Sequence, residues 1–325
     1  VSTFILVGEG QPAARALQYI IKQGGKVEGV FTKAPWHPLI VNVAKRWGVC
    51  VGDSLLLSPK GRRERSDAFV SSLTADWLLS VNNMVILDIQ VLDRFPSRAF
   101  NLHPGLLPEY GGVHVHQWAL REGATEFGAC VHEMVARVDA GDIIESERFP
   151  IDPQDTGLSL FQRTMETGVG ILCRVVDQII AGTNLGRCPQ DLAKRRVFRS
   201  ADAQDPNIDW NWTASEVQGF VRAGNYGRFQ SPTYTARLDV TDEMVIEVMG
   251  VSVGKPTTAP PGTIIEEQKS VVVACAGGTS ITIDSARVEG RSVELGDWMR
   301  YFLVVGKCLR GRLPVSIGFG INIVS

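Results

Sequence analysis

The sequence predicts an α/β protein, with a parallel sheet in the first part of the chain and a small β-barrel in the last. Three observations carry this. Over residues 1–185, short apolar runs alternate with segments of helical period. The stretch 186–207 is polar, carries Lys194-Arg195-Arg196 and shows no apolar period, as a solvated linker crossing the surface would. Beyond it the apolar runs become short and closely spaced. At 325 residues the chain suits two cores better than one. The expected units are 1–185, a linker over 186–207, and 208–325.

Phe4 to Val7 is a first strand. The turn Gly8-Glu9-Gly10-Gln11-Pro12 follows, with Pro12 suited to the first helical position. Ala14, Leu17, Ile20 and Ile21 then repeat at helical spacing until Gly24-Gly25. Val27 to Phe31 is the next strand, and helices are expected over Leu39 to Trp47 and around Asp67 to Leu73. Trp77 to Val81 and Ala99 to His103 are buried strands, and Phe127 to Met134 and Ile143 to Ile151 flank a loop. A long helix runs from Thr156 to Ala181, with Leu172, Val175, Val176 and Ile179 on one face and Gly182 as its stop. This alternation is Rossmann-like. After the linker, Thr213 and Glu216 form a capping box for a helix with Val217, Phe220 and Val221 as its stripe. Strands follow at Ser231 to Leu238, Met244 to Val251, Thr263 to Glu267, Val271 to Ala274 and Ser280 to Val288. Pro260-Pro261-Gly262 and Gly277-Gly278 punctuate them, as in an OB-like barrel.

A formal net charge of −2 gives no global field that would favour nucleic acid or anionic lipid. The apolar run from Val169 to Ile180 is broken by Arg174, Asp177 and Gln178, so no membrane span is expected. The opening residues lack a basic region and a small-residue cleavage site, and read as a strand instead of a signal peptide. Cys50, Cys130, Cys173, Cys188, Cys275 and Cys308 contain no C-x-x-C pair, which fits reduced thiols in the cytoplasm. No metal site is expected, because His114-Val115-His116 is the only dense histidine pair and reads better as pocket lining or helix entry.

The chemistry concentrates in two segments. Asn101-Leu102-His103-Pro104-Gly105-Leu106-Leu107-Pro108 puts an amide and an imidazole two residues apart at a strand end, where their side chains leave the same face. Val138-Asp139-Ala140-Gly141-Asp142 brings a carboxylate from far off in sequence. Together they suit acyl transfer from a poor donor to an amine. Asn101 can donate to an oxygen turning negative, and His103 can lie beside that oxygen or the amine. Asp139 can orient the imidazole or relay its proton. Either His103 or Asp139 can take the amine proton. Singly, each residue reads as a turn former or a satisfied buried histidine; as a trio the catalytic reading is preferred. The turn Val7-Gly8-Glu9-Gly10 lacks the third glycine of a dinucleotide fingerprint, so nicotinamide is not expected. The helix start at Gly10 to Pro12 can hold an anion such as a substrate phosphate.

The Asn101–Pro108 stretch resembles the signature of the N10-formyltetrahydrofolate-dependent formyltransferases, and the similarity covers most of the chain. In that family an Asn-x-His pair ends a strand and a Leu-Leu-Pro turn follows. Here a glycine loop (Tyr110-Gly111-Gly112), Gln117-Trp118-Ala119 and the Asp-x-Gly-Asp motif from Asp139 to Asp142 complete the set. Ile208-Asp209-Trp210, Val221-Arg222-Ala223 and Pro261-Gly262-Thr263 resemble the C-terminal domain of methionyl-tRNA formyltransferase and of several amino-sugar N-formyltransferases. The resemblance implies N10-formyltetrahydrofolate as co-substrate, no metal, and catalytic roles for Asn101, His103 and Asp139. It also seats the pterin, through backbone groups, between Asn82-Asn83-Met84-Val85-Ile86 and the loop from Val135 through Val138 to Asp142. Gly10, Pro108 and Tyr110 are acceptor-site candidates, with His114, His116, Trp118, Tyr226 and Phe229 as residues able to stack or hydrogen-bond there.

Three departures shift the expected acceptor. Gly105 stands where family members often have Ser, removing a supporting hydroxyl. The segment Thr32 to Pro38 is short compared with the basic loop of tRNA-directed members. From Asp205 onward the charges nearly balance, whereas a tRNA backbone favours a basic surface. The expectation is formyl transfer to a primary amine on a small metabolite, an amino-sugar nucleotide or a natural-product intermediate, by a cytoplasmic enzyme with room for a homodimer. Methionyl-tRNA formyltransferase, hydrolysis of the formyl donor, and a folate- or sugar-binding module without catalysis are the alternatives.

Overall fold

The computed structural model describes residues 1–203, 205–241, 244–266, 271–288 and 290–292. They fall into two compact units. The first combines 1–116, 125–152 and 160–199; the second combines 117–124, 153–159 and the chain from 200.

The first unit is built on a seven-stranded sheet. Its strands are β1 (Thr3–Gly8), β2 (Lys26–Thr32), β3 (Val51–Asp53), β4 (Trp77–Val81), β5 (Ala99–His103), β7 (Glu126–Glu133) and β8 (Ile143–Pro150), in the order β3-β2-β1-β4-β5-β7-β8. The first five strands are parallel. β7 runs antiparallel to both its neighbours, β5 and β8, so the sheet is parallel-dominated, as the sequence predicts, with one reversed strand. β8 returns beside β7 through the loop 134–142, which contains no crossover helix, as only antiparallel neighbours can be joined.

Apolar residues run unbroken through β1 because both sheet faces are covered. Phe4 and Leu6 pack with Ala13, Leu17 and Ile20 of α1 (Gly10–Lys22), with Ile40 of α2 (Pro38–Arg46), and with Val169, Leu172 and Val176 of α6 (Gly157–Ala181). Ile5 and Val7 face the opposite layer, with Phe31, Leu57, Leu78 and Val91. α1 begins at Gly10 after an extended Glu9, so Pro12 is its third residue, not its first. It still lies in the first turn, where a helix needs no amide donor. Gly8 has no alternative: a Cβ there would lie 2.1 Å from the carbonyl of Val81.

The short elements β3, α4 (Ile89–Leu92) and α5 (Val115–Arg121) were not expected, each being too brief to show a period. Before α3 (Asp67–Ser71), the 3₁₀ turns Ser54–Leu57 and Pro59–Arg63 are anchored by a buried carboxylate. Asp88 accepts from Arg65 Nη2 at 2.6 Å and from the Arg62 guanidinium, and it caps α4 through Gln90 N. The two guanidinium groups hold its carboxyl well below the usual carboxylate range.

In the second unit α7 (Ala214–Gly224) opens on the expected capping box. Thr213 N donates to Glu216 Oε2 at 2.7 Å, and Glu216 N donates back to Thr213 Oγ1 at 3.4 Å. The sheet comprises β10 (Arg237–Thr241), β11 (Met244–Val253), β12 (Ile264–Glu266), β13 (Val271–Cys275), β14 (Thr279–Val288) and β15 (Arg291–Ser292). Its order is β10-β11-β14-β13-β12, with β15 beside β14. It is curled and antiparallel, a half-barrel: among the described residues nothing pairs β10 with β12. The strand expected from Ser231 begins only at Arg237. Before it, Ser231 and Thr233 hydrogen-bond to Gln117, and Tyr234 stacks on Phe220 with ring centroids 4.3 Å apart. These contacts replace a ladder. Glu267, Cys308 and the end of the expected C-terminal domain lie outside the described residues.

Candidate active site

β5 ends at His103, and its neighbour β7 sets the site's fourth polar group. In register, Asn101 faces His132 and His103 faces Cys130. Asp139 arrives on the β7–β8 loop. Its Oδ1 lies 3.7 Å from His103 Nδ1 and 3.6 Å from His132 Nε2. The structure thus brings together the three residues expected from sequence and adds His132, which was not singled out. The only signal in the sequence was its place, a histidine directly after the apolar run Phe127 to Val131.

The partners fix the protonation pattern. His103 Nε2 lies 2.6 Å from the carbonyl oxygen of Tyr110, which can only accept, so Nε2 carries a hydrogen and Nδ1 is the nitrogen that faces Asp139. By the same logic His132 Nδ1 donates to the carbonyl of Glu133 at 2.9 Å. Its Nε2 then accepts from Asn101 Nδ2 at 3.2 Å. Burial and the nearby His103 hold the His132 imidazole neutral, lowering its pKa to about 4. Asn101 is therefore oriented with an amide hydrogen to spare. His103 is 3% exposed and Asp139 8%, so these dipoles act where water screens them little.

Backbone groups complete the frame. Gly112 N donates to Asp139 Oδ2 at 2.8 Å. Non-glycine residues with positive φ sit on the surrounding loops: Asn82 (50°), His114 (55°) and Asp139 (53°). Such conformations persist where the surroundings over-determine them, as at functional sites. Gly105 leaves no room for a side chain. A Cβ there would stand 2.8 Å from the Tyr110 carbonyl oxygen and 3.0 Å from His103 Nε2.

The polar stretch after α6 is tied to this frame. β9 (Val197–Phe198) pairs with β6 (Gly111–Gly112). Gln190 Nε2 donates to the carbonyls of Asp139 and Gly141, and Arg195 Nη2 to that of Val138.

The other candidates are placed as follows. Asn83 turns its carboxamide onto its own loop, bonding Val85 N and O. Met84, Ile86, Val135 and Val138 are apolar and 38–63% exposed, while Asp142 gives its carbonyl to Glu133 N. Gly10 starts α1 with φ 67° and lies beside Asn82 Nδ2. Pro108 is buried and its carbonyl accepts from Arg196 N; Tyr110 stacks on Phe198. His114 is half-buried. His116 packs against Phe161, and burial lowers its pKa to about 3. Trp118 and Tyr226 belong to the second unit, Trp118 under the Arg121 guanidinium and Tyr226 buried; Phe229 is exposed. Gln117, part of a matched motif, holds Ala223, Ser231 and Thr233 within that unit. Among the described residues no cluster of three metal-ligating side chains occurs, and no helix is long and apolar enough to cross a membrane.

An amide donor, a basic imidazole nitrogen and a carboxylate converging at the end of a central strand suit an acyl-group transferase. The comparisons specify the group. The formyl transferase model matches residues 8–176, and the formyl transferase C-terminal domain model matches 201–302. The chain belongs to the formyl transferase family. The N-formyltransferase from Helicobacter canadensis, solved with folinic acid and dTDP-3-aminofucose, is 18% identical with a TM-score of 0.68, over 87% of this chain and 99% of that one. WlaRD, a sugar 3N-formyltransferase solved with dTDP and 5-N-formyl-THF, also gives 18% and 0.68, over 89% and 98%. Both are likenesses of fold. Glycinamide ribonucleotide transformylase 1 from Symbiobacterium toebii is 25% identical with a TM-score of 0.51, over 58% of this chain and 93% of that one.

Proposed function

We propose that this formyltransferase moves the formyl group of N10-formyltetrahydrofolate to a primary amine on a small metabolite, a nucleotide-linked amino sugar or a biosynthetic intermediate, in the cytoplasm. The observation that carries the reading is the convergence of Asn101, His103 and Asp139 around one point, with His132 behind them. Residues 1–185 would carry the chemistry, and 208–325 would form an OB-like appended domain.

The residues fit the donor. A pterin needs apolar contact and a few oriented polar groups. Met84 and Ile86 on one loop, and Val135 and Val138 on another, offer exposed apolar surface, with backbone groups between them. When bound, the donor supplies an activated formyl carbon. Asn101 would use its remaining amide hydrogen on the formyl oxygen as negative charge develops there. The His103 Nδ1 lone pair would accept the proton of the attacking amine. Asp139 would then hold the imidazolium, the 3.7 Å gap closing as the charge appears. The proton finally passes to the departing folate nitrogen, leaving a formamide. The hydrogen on Nε2, bonded to Tyr110, supports His103 over Asp139 as the proton acceptor.

The similar structures solved with dTDP-3-aminofucose and with dTDP favour a sugar amine. Near-neutral charge disfavours tRNA, whose binding would weaken steeply with salt. Incubating the protein with formyl donor and a panel of amines, read by the mass gain of a formyl group, tests the proposal. His103→Ala is expected to abolish the formamide product in protein that thermal melts show to be folded at the assay temperature; undiminished turnover would reject it.

A further inference from the structure

We infer that Gln190 is a positioning residue for formyl transfer: its carboxamide, delivered from the polar segment after α6, holds the backbone that aims Asp139 between His103 and His132. The inference rests on the reading of Asp139 given above. Gln190 Nε2 donates to the carbonyl of Gly141 at 2.6 Å and to that of Asp139 at 3.3 Å. Arg195 Nη2 donates to the carbonyl of Val138 at 2.9 Å. Two side chains thus bind three carbonyls of a four-residue stretch.

Elsewhere in the loop, Gly112 N holds Asp139 Oδ2 at 2.8 Å and Glu133 N holds the Asp142 carbonyl at 2.9 Å. Residues 135–138 are exposed, so packing contributes little there. Asp139 is nevertheless kept at φ 53°, in the left-handed region that L-residues disfavour. The segment bearing Gln190 is itself well fixed. Ile143 and Cys188 exchange two backbone bonds of 2.9 Å, and Arg196 bridges Pro108 O and Gly111 N at 3.1 Å each. The same segment therefore grips both loops that orient the histidine–carboxylate pair: 107–113, source of Tyr110 O and Gly112 N, and 135–142.

The chemistry of the side chain points to its donor end. Gln190 Nε2 faces two acceptors, a place that Glu could not fill without setting its carboxylate against two carbonyls. Among the described residues, Gln190 Oε1 is buried without a hydrogen-bond partner. An unpaired acceptor is costly, so a side chain chosen for packing alone would be apolar here.

The test uses the whole protein, the formyl donor and the best amine from the screen. Gln190→Glu and Gln190→Met are compared with wild type, Arg195→Met and Asp139→Asn. Misplacing a reacting group by about 1 Å costs about 100-fold in rate. Both Gln190 variants are expected to lose about 10- to 100-fold in kcat, with KM for donor and amine moving by no more than about threefold. The ring ¹⁵N resonances of His103 and His132 should shift, and Arg195→Met should move kcat the same way. Wild-type kcat in a folded Gln190→Met protein overturns the inference. So does a loss that only tracks the unfolded fraction, with histidine resonances unmoved. If Gln190→Glu does not fold, Gln190→Met and Arg195→Met decide the matter. An inactive Asp139→Asn beside a fully active Gln190→Met overturns the clamp alone, whereas a fully active Asp139→Asn overturns the reading on which it rests.

Discussion

Gly105→Ser restores the residue common in similar motifs, and the geometry here predicts that it harms this protein. Its backbone does not have positive φ, so any L-residue could adopt it; the obstacle is space. The new Cβ would meet Tyr110 O at 2.8 Å, Val115 Cγ2 at 2.8 Å and His103 Nε2 at 3.0 Å. The valine methyl can rotate away. The carbonyl cannot, because Gly111 beyond it is pinned in the β6–β9 pair. What gives is the 2.6 Å bond that fixes the His103 ring. Overpacking of this kind costs about 1–3 kcal/mol, or a fall of roughly 5 °C in melting temperature. Displacing the ring by a fraction of an ångström should lower kcat about 10- to 100-fold. Gly105→Ala separates shape from chemistry, since it brings the Cβ without the hydroxyl. Formamide production followed by mass spectrometry, with thermal melts alongside, gives both readings. Wild-type kcat and melting temperature in Gly105→Ala would refute the reasoning.

His132→Leu leaves the Asn101 amide without its acceptor and should lower kcat about tenfold, whereas His132→Gln, which can still accept, should lose less; steady-state kinetics distinguish them. The same substitution has a pH signature. With the folded pKa near 4 and the unfolded value near 6.5, His132 is neutral in both states above pH 6.5 and contributes nothing there. Below it the unfolded chain takes up a proton that the folded site refuses, so stability falls by about 3 kcal/mol towards pH 4. Melts from pH 7.5 to 4.5 should show a shallower decline for His132→Leu. Asp88→Ala strands the Arg65 guanidinium, whose side chain is only 3% exposed, and should cost about 3 kcal/mol in urea unfolding, where a change within error would dismiss the clamp.

The parallel half of the fold was legible because its strands are buried on both faces and its helices show a full stripe, as β1 and α6 do. The trio was legible because two members share one strand end and the third sits in a compact loop motif. His132 was hidden by a different rule: cross-strand partners depend on register, and nothing local in the run Phe127 to Val131 announces that its neighbour faces Asn101. The segment around Gln190 was read as solvated for a similar reason. It has no apolar period, since its hold on the site comes from hydrogen bonds to backbone carbonyls. Gly105 shows the opposite error. A missing hydroxyl looks like a loss in sequence, yet the structure has closed the space where it would sit.

The placement of Asp139 explains why so buried a carboxylate can be kept. Its Oδ2 is satisfied by Gly112 N, while its Oδ1 stands nearly midway between two imidazole nitrogens, at 3.7 and 3.6 Å. Neither distance is a formed hydrogen bond, and His132 Nε2 already accepts from Asn101, so the resting site gains little there. In the proposed reaction a proton on His103 Nδ1 would turn the same geometry into an ion pair in a poorly screened environment. An interaction that is weak before proton transfer and strong after it lowers the barrier, where one equally strong throughout would only tighten binding. That advantage depends on the carboxylate staying where it is poised, which is why the bonds from Gln190 and Gly112 to this loop should matter to kcat more than to KM.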